Sequence, residues 1–168
     1  MNKSVAVLMC GLPGSGKSTI AEHIRVKGIP PVIHSSDALR EEIYGNAATQ
    51  GDNKALFAEL YRRICADLDA GKSVILDATS LTKSVRGIFL KEVAGHCDHA
   101  VCVFVYTPVE VCKERNASRD RFVPEDVIDR MKARFEYPEL SEGFHCIVTP
   151  DKNHGVWKDS DIIEIEVD

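Results

Sequence analysis

Gly11-Leu12-Pro13-Gly14-Ser15-Gly16-Lys17-Ser18 is the stretch on which the reading of this chain rests. It has the pattern Gly, four residues, Gly-Lys-Ser, which builds a phosphate cradle only between a strand and a helix. Both flanks comply. Val5-Ala6-Val7-Leu8-Met9-Cys10 is a continuous apolar run without helical period, as expected of a strand buried on both faces of a parallel sheet. After the loop, Ile20, Ala21 and Ile24 recur at helical spacing, so a helix is predicted to open at Lys17 and run through Ile24. Gly11, Gly14 and Gly16 let successive N–H groups curl inward around phosphate oxygens, and the helix start adds its positive dipole end. Lys17 is placed to reach the β- and γ-phosphates and the Ser18 hydroxyl to ligate Mg²⁺, with Ser15 and Thr19 beside them. The stretch implies a bound nucleoside triphosphate.

The 168 residues, 1–168, read as one domain, with 44% hydrophobic and 28% charged residues as in an ordinary globular chain. No apolar run approaches membrane-spanning length and no secretory pattern opens the chain, so a cytoplasmic protein without a membrane partner is expected. Cys10, Cys65, Cys97, Cys102, Cys112 and Cys146 never fall at Cys-x-x-Cys spacing, so neither a disulfide nor a zinc site is predicted. The net charge of −5 excludes a broad basic nucleic-acid surface. Locally, residues 113–134 carry seven basic and five acidic side chains, which suits one phosphate-bearing cleft.

Strands and helices alternate along the chain. Strands are predicted at Pro31–His34, Ser73–Leu76, Ala100–Tyr106 (central), Phe144–Val148 and Ile162–Val167, the last at a sheet edge because Ile163, Ile165 and Val167 alternate with acids. Helices are predicted from Ser35 to Gly45, over Ala55–Ala70, over Thr82–Ala94 with Val85, Ile88, Phe89 and Val93 inward, over Val109–Ser118, and from Pro124 to Pro138 with Val127, Met131 and Phe135 inward. This order implies an α/β, three-layer fold: a mostly parallel central sheet flanked by helices, with a helical lid over about 113–135. Ligands in such folds gather at the carboxyl ends of the strands, which brings the phosphate loop, Ser35–Arg40 and Asp77–Ser80 into one cleft.

A guanine switch would carry Asn-Lys-x-Asp, but Asn53-Lys54 is followed by Ala55-Leu56; a hydrolytic motor would follow its strand-end Asp with Glu, but Asp77 is followed by Ala78. A kinase needs an acceptor base and a cationic lid. Asp37 is a candidate base on an incoming hydroxyl and Arg40 a grip on a second anion of the acceptor, although an N-cap and a solvated charge would use the same residues. Asp77 is expected to orient the Mg²⁺ water shell or to hold Arg40. Arg115 and Arg119, four apart, are expected to share a helix face and close over the phosphates. Arg86 and Arg121 are weaker candidates, and the scattered histidines have no metal-ligand spacing.

Gly-Leu-Pro-Gly-Ser-Gly-Lys-Ser-Thr, Ser-Ser-Asp37-Ala-Leu-Arg40, Leu-Asp77-Ala-Thr and Glu-Arg115-Asn-Ala-Ser-Arg119 occur in that order between Val5 and about Pro138. Together they resemble the polynucleotide 5′-hydroxyl kinases of bacteriophage and bacterial nucleic-acid repair. The resemblance implies an ATP- and Mg²⁺-dependent P-loop kinase acting on the 5′-OH of DNA or RNA. It implies Asp37 as general base, Arg40 on the acceptor's neighbouring phosphate, and Arg119 as the lid arginine on the donor. Ser80 stands where related kinases often have Asn. Related small kinases acting on seryl-tRNA or on hydroxyl metabolites use a similar scaffold, and a nucleotide-binding module without an acceptor is the alternative from another class. Ser141–Ser160 could be a base-contacting flap or plain packing.

Overall fold

The computed structural model describes residues 4–47, 49, 51–120, 122–150 and 157–167. Its elements are β1 (Val5–Cys10), α1 (Lys17–Ala21), β2 (Ile24–Val26), β3 (Val32–Ser35), α2 (Ser36–Tyr44), α3 (Asn53–Asp69), β4 (Val74–Asp77), α4 (Lys83–Val93), β5 (His99–Phe104), α5 (Val109–Ala117), α6 (Glu125–Arg134), a 3₁₀ turn (Leu140–Glu142), β6 (Cys146–Val148) and β7 (Ile163–Ile165). Among the described residues five parallel strands form the main sheet in the order β3-β4-β1-β5-β6. β1 is its middle strand: Ala6–Leu8 pair with Val74–Leu76, and Val5–Cys10 with His99–Phe104. All six β1 residues are buried, which is why their sequence lacks alternation.

The two faces of β1 define two cores. Ala6, Leu8 and Cys10 meet Leu56, Leu60 and Ile64 of α3 and Phe89 and Val93 of α4. Val5, Val7 and Met9 meet Ile20, Ala21, Ile24, Val26 and Ile165. The expected α/β architecture is therefore present, with helices on one face and a mixed layer on the other. No helix of the described residues is long and apolar enough to cross a membrane.

Four expectations are corrected. The helix after the phosphate loop ends at Ala21, not beyond Ile24. Glu22 and His23 turn the chain, and Ile24–Val26 pairs in parallel with Ile163–Ile165 as a second, two-stranded sheet. Ile20 and Ile24 point at the same core in either conformation, so their spacing does not distinguish helix from strand. β7 accordingly lies in that small sheet, not at the edge of the main one, although its alternation holds: Ile165 is buried while Glu164 and Glu166 are exposed. β5 is an interior strand of the main sheet, as expected, paired with β1 on one side and β6 on the other.

On α4 the inward stripe is Arg86, Phe89 and Val93, whereas Val85 is 44% and Ile88 50% exposed. The inward turn of Arg86 is made tolerable by Glu142, whose carboxylate meets its guanidinium at 2.8 Å. α6 ends at Arg134 with Ile128 as its buried residue, and Phe135 is already extended, so Pro138 does not stop this helix.

Candidate functional site

The phosphate loop is held open by its neighbours. Gly14 and Gly16 adopt φ of +79° and +99°, and a side chain on Gly14 would collide with the Cys112 carbonyl of α5. Gly11 N–H donates to the Thr79 carbonyl at 3.0 Å, and Thr107 Oγ1 donates to the Ser15 carbonyl at 2.8 Å. Lys17 is buried and its Nζ donates to the Leu12 carbonyl at 2.9 Å. Burial pushes the Lys17 ammonium below its ordinary value; the Asp77 and Asp37 carboxylates work against that, and Arg119 works with it. The Ser15 hydroxyl is buried without a hydrogen-bond partner. A buried ammonium and an orphaned hydroxyl under one loop are groups that an anion would satisfy.

Ser18 Oγ donates to Asp77 Oδ2 at 2.7 Å, joining the amino end of α1 to the carboxyl end of β4. Among the described residues no group of three or more His, Cys, Asp or Glu could hold a metal ion by itself. The Ser18–Asp77 pair fits Mg²⁺, which is commonly held by one or two protein oxygens together with phosphate oxygens. Asp77 does not hold Arg40, the other role expected for it. Arg40 Nη1 instead donates to Asp37 Oδ1 at 3.2 Å and Nη2 to Asn53 Oδ1 at 3.1 Å.

Ser35, not Asp37, caps α2: its Oγ accepts the Ala38 N–H at 3.2 Å. Asp37 is not the capping residue and lines the cleft together with Arg40, whose Nε is buried without a partner. Facing this pair, α3 contributes Phe57 and Tyr61 and α4 contributes Val85 and Ile88 to the same cleft. The exposure of Val85 and Ile88 is thereby explained: they form a wall of the cleft. The Tyr61 phenol is pushed upward by burial and by the Glu92 carboxylate, so it stays protonated.

Residues of α5, of α6 and of the stretch between them complete the cavity of about 1430 Å³, larger than one drug-sized ligand needs. Arg115 Nη1 reaches the Ser15 carbonyl at 3.4 Å. Arg119 also lines the cleft but does not share a helix face with Arg115, because α5 stops at Ala117 and Arg119 sits in the following turn. Asn116 makes that turn possible. It is fully buried, its Nδ2 donates to the Val123 carbonyl at 2.6 Å, and its Oδ1 accepts the Val123 N–H at 3.1 Å. Lys113 to Asp129, at 2.8 Å, joins α5 to α6.

Gly11, Gly14, Ser15, Gly16, Lys17, Ser18, Thr19, Asp37, Arg40, Asp77, Arg115 and Arg119 therefore converge, all but Gly11 lining the cleft directly. Arg86 does not join them; it lies beneath, bonding the Ser80 carbonyl at 3.0 Å. Arg121 lies outside the described residues, as do residues 151–156 of the region from Ser141 to Ser160. The rest of that region divides: Glu142, Phe144 and β6 pack, while Pro150 and Trp157 line the cleft. Sequence reasoning missed Asn116 and the apolar wall. The available signal for Arg86 was a lone charge set among the inward positions of α4.

A sequence model of the AAA-domain family matches residues 7–138, and the chain belongs to that family. The L-seryl-tRNA(Sec) kinase of Methanococcus maripaludis is 27% identical over 143 residues, 79% of this chain and 52% of that protein. The chain thus spans about half the length of that kinase and of a second curated relative, the Kti12 protein of Schizosaccharomyces pombe. A gluconokinase from Sinorhizobium meliloti superposes with TM-score 0.61 at 21% identity, covering 89% of this chain and 83% of the other. The Pnkp1/Rnl/Hen1 RNA repair complex contains a chain with TM-score 0.66 at 18% identity, covering 80% of this chain and 44% of that one. At these identities the structural likeness establishes the P-loop kinase fold.

Proposed function

We propose that this AAA-family chain transfers the γ-phosphoryl group of ATP to the 5′-hydroxyl of a DNA or RNA end. One observation carries the choice of acceptor. The half of the cleft beyond the phosphate loop offers a carboxylate (Asp37), a cation with an unpartnered buried N–H (Arg40), and an apolar wall (Phe57, Val85, Ile88). A nucleotide terminus presents the matching set: a hydroxyl, an adjacent phosphate and a flat base. A polyhydroxylated sugar acid would leave its hydroxyls against that wall unpaired, at a cost of about 1–3 kcal/mol each.

In this reading the loop N–H groups, Lys17 and Ser15 hold the β- and γ-phosphates, and Arg115 and Arg119 close over them. Ser18 and Asp77 would hold Mg²⁺, which neutralises phosphate charge when bound. The acceptor oxygen attacks the γ-phosphorus in line. Its proton passes to Asp37, the bond from the γ-phosphorus to the β–γ bridging oxygen breaks, and ADP leaves. Arg40 keeps Asp37 oriented and binds the acceptor's phosphate.

The identity to the seryl-tRNA kinase favours a second reading with the same donor half, in which an aminoacyl hydroxyl takes the place of the 5′-OH. The deciding assay is transfer of labelled γ-phosphate to a short oligonucleotide with a free 5′-OH, with seryl-tRNA and a sugar acid as competing acceptors. Label on the oligonucleotide is expected. Asp37→Asn should lower kcat by about 10²–10⁴ while leaving ATP affinity in place. Label on seryl-tRNA alone would replace this reading with the second, and ATP binding without transfer to any acceptor would sink both.

A further inference from the structure

Four aromatic rings gather at the edge of the cleft, on the side of the sheet that carries α4. Phe104 stacks on Phe135 with centroids 5.5 Å apart. Tyr137 meets both edge-on at 5.7 and 5.2 Å, and Tyr106 lies 6.4 Å from Phe104. The two phenylalanines are packed against the core, whereas Tyr106 is 56% and Tyr137 55% exposed. The group is anchored to the loop after β4 through the Glu136 N–H and the Leu81 carbonyl, 2.9 Å. Lys132 Nζ stands 5.8 Å from the Phe135 centroid and 5.9 Å from that of Tyr137. The group is continuous with the cleft, because Tyr106 and Met131, the neighbour of Lys132, line it.

Two solvent-facing rings fixed to a half-buried pair, with an ammonium over Phe135 and Tyr137, have the chemistry of a platform for single strands: flat faces for bases and a cation for the phosphate between them. The local charge is basic by three to one: from Arg130 to Tyr137 the chain carries Arg130, Lys132 and Arg134 against Glu136, with Arg130 paired to Asp126, and the nearby Glu139 and Glu142 paired with Lys83 and Arg86. We propose that Tyr106, Tyr137 and Lys132 bind the nucleotides that follow the phosphorylated end of a single-stranded acceptor. This rests on the polynucleotide reading above and adds a preference for strands longer than one nucleotide, made through stacking and therefore tolerant of sequence.

The test compares a nucleoside 3′-phosphate with a single-stranded octanucleotide as acceptors of Tyr137→Ala, Lys132→Ala and Tyr137→Phe. Tyr137 and Lys132 lie outside the cleft lining, so the short acceptor should keep its KM in all three variants. For the octanucleotide, Tyr137→Ala should raise KM about tenfold, Tyr137→Phe should restore it, and Lys132→Ala should flatten its salt dependence. Equal effects on both acceptors, or none on the octanucleotide, would overturn the platform while leaving the reaction standing. Anisotropy of a labelled octanucleotide separates the two claims. Binding by the wild type that Tyr137→Ala weakens, without any phosphate transfer, retains the platform and removes the reaction. Absence of binding at low salt removes the platform. A monomer–dimer shift in Tyr137→Ala without loss of oligonucleotide binding would mean that a second copy of the chain covers these rings, and would overturn it as well.

Discussion

Arg86→Met should be among the most destabilising single changes in this chain. Its guanidinium is completely buried, donates Nε and Nη2 to Glu142 at 2.8 and 3.3 Å, and donates Nη1 to the Ser80 carbonyl at 3.0 Å. Burial opposes the Arg86 charge, yet the Glu142 carboxylate keeps it above the ordinary arginine value. Methionine fills the space but leaves Glu142 without its counter-charge. Removing one partner of a buried pair costs about 3–5 kcal/mol, against a total stability of about 5–15 kcal/mol for a domain. For a chain of this length each kcal/mol moves Tm by about 2–4 °C, so a drop of about 6–20 °C is expected. The double variant Arg86→Met with Glu142→Leu removes both charges and should recover all but about 1 kcal/mol, the part reflecting the lost Glu139 N–H to Glu142 bond. Urea unfolding of the four proteins measures this cycle. A single variant within 1 kcal/mol of wild type, or losses that simply add, would refute the buried-pair account. A second readout bears on function. Ser80 has φ of +51°, its carbonyl also accepts the Cys10 thiol, and its neighbour Thr79 bonds Gly11. Loosening that corner should weaken ATP binding several-fold even where the protein remains folded.

Three further outcomes are expected. Asn116→Ala leaves the N–H and carbonyl of Val123 unpaired, at about 1–3 kcal/mol; limited trypsinolysis should cut after Arg119 faster than in wild type, and an unchanged rate would discount the clamp. Trp157 is the single tryptophan, lies 5.1 Å from the His23 ring and lines the cleft on the α1 side, so saturating ATP should change its emission; a flat titration alongside measurable ATP binding would place the nucleotide elsewhere. Arg62 and Arg63 hold the Glu59 carboxyl down at about 2, so what it contributes to stability is complete above the ordinary carboxylate value near 4.3 and is lost as the pH falls towards about 2. A carboxyl NMR titration with a midpoint near 4 would contradict that network.

The donor half was legible because its determinants lie within a few residues of one another. Three glycines, a lysine and a serine in eight positions dictate a backbone path, and the unbroken apolar run of β1 dictates a strand buried on both sides. Asp37 and Arg40 were legible for the same reason, being one turn apart on α2. What the sequence could not settle depends on partners far along the chain. Whether Val85 and Ile88 face a core or a cleft is decided by how α4 rolls, and the Arg86–Glu142 contact, 56 residues apart, turns the Arg86 side inward. Ile24 reads equally as helix or strand until Ile163, brought from the other end of the chain, pairs with it. Arg119 left the helix face because Asn116 ties the chain to Val123. Periodicity states which residues are apolar and how often; which neighbour covers them is a property of packing, and the acceptor side of this cleft is built almost entirely from packing.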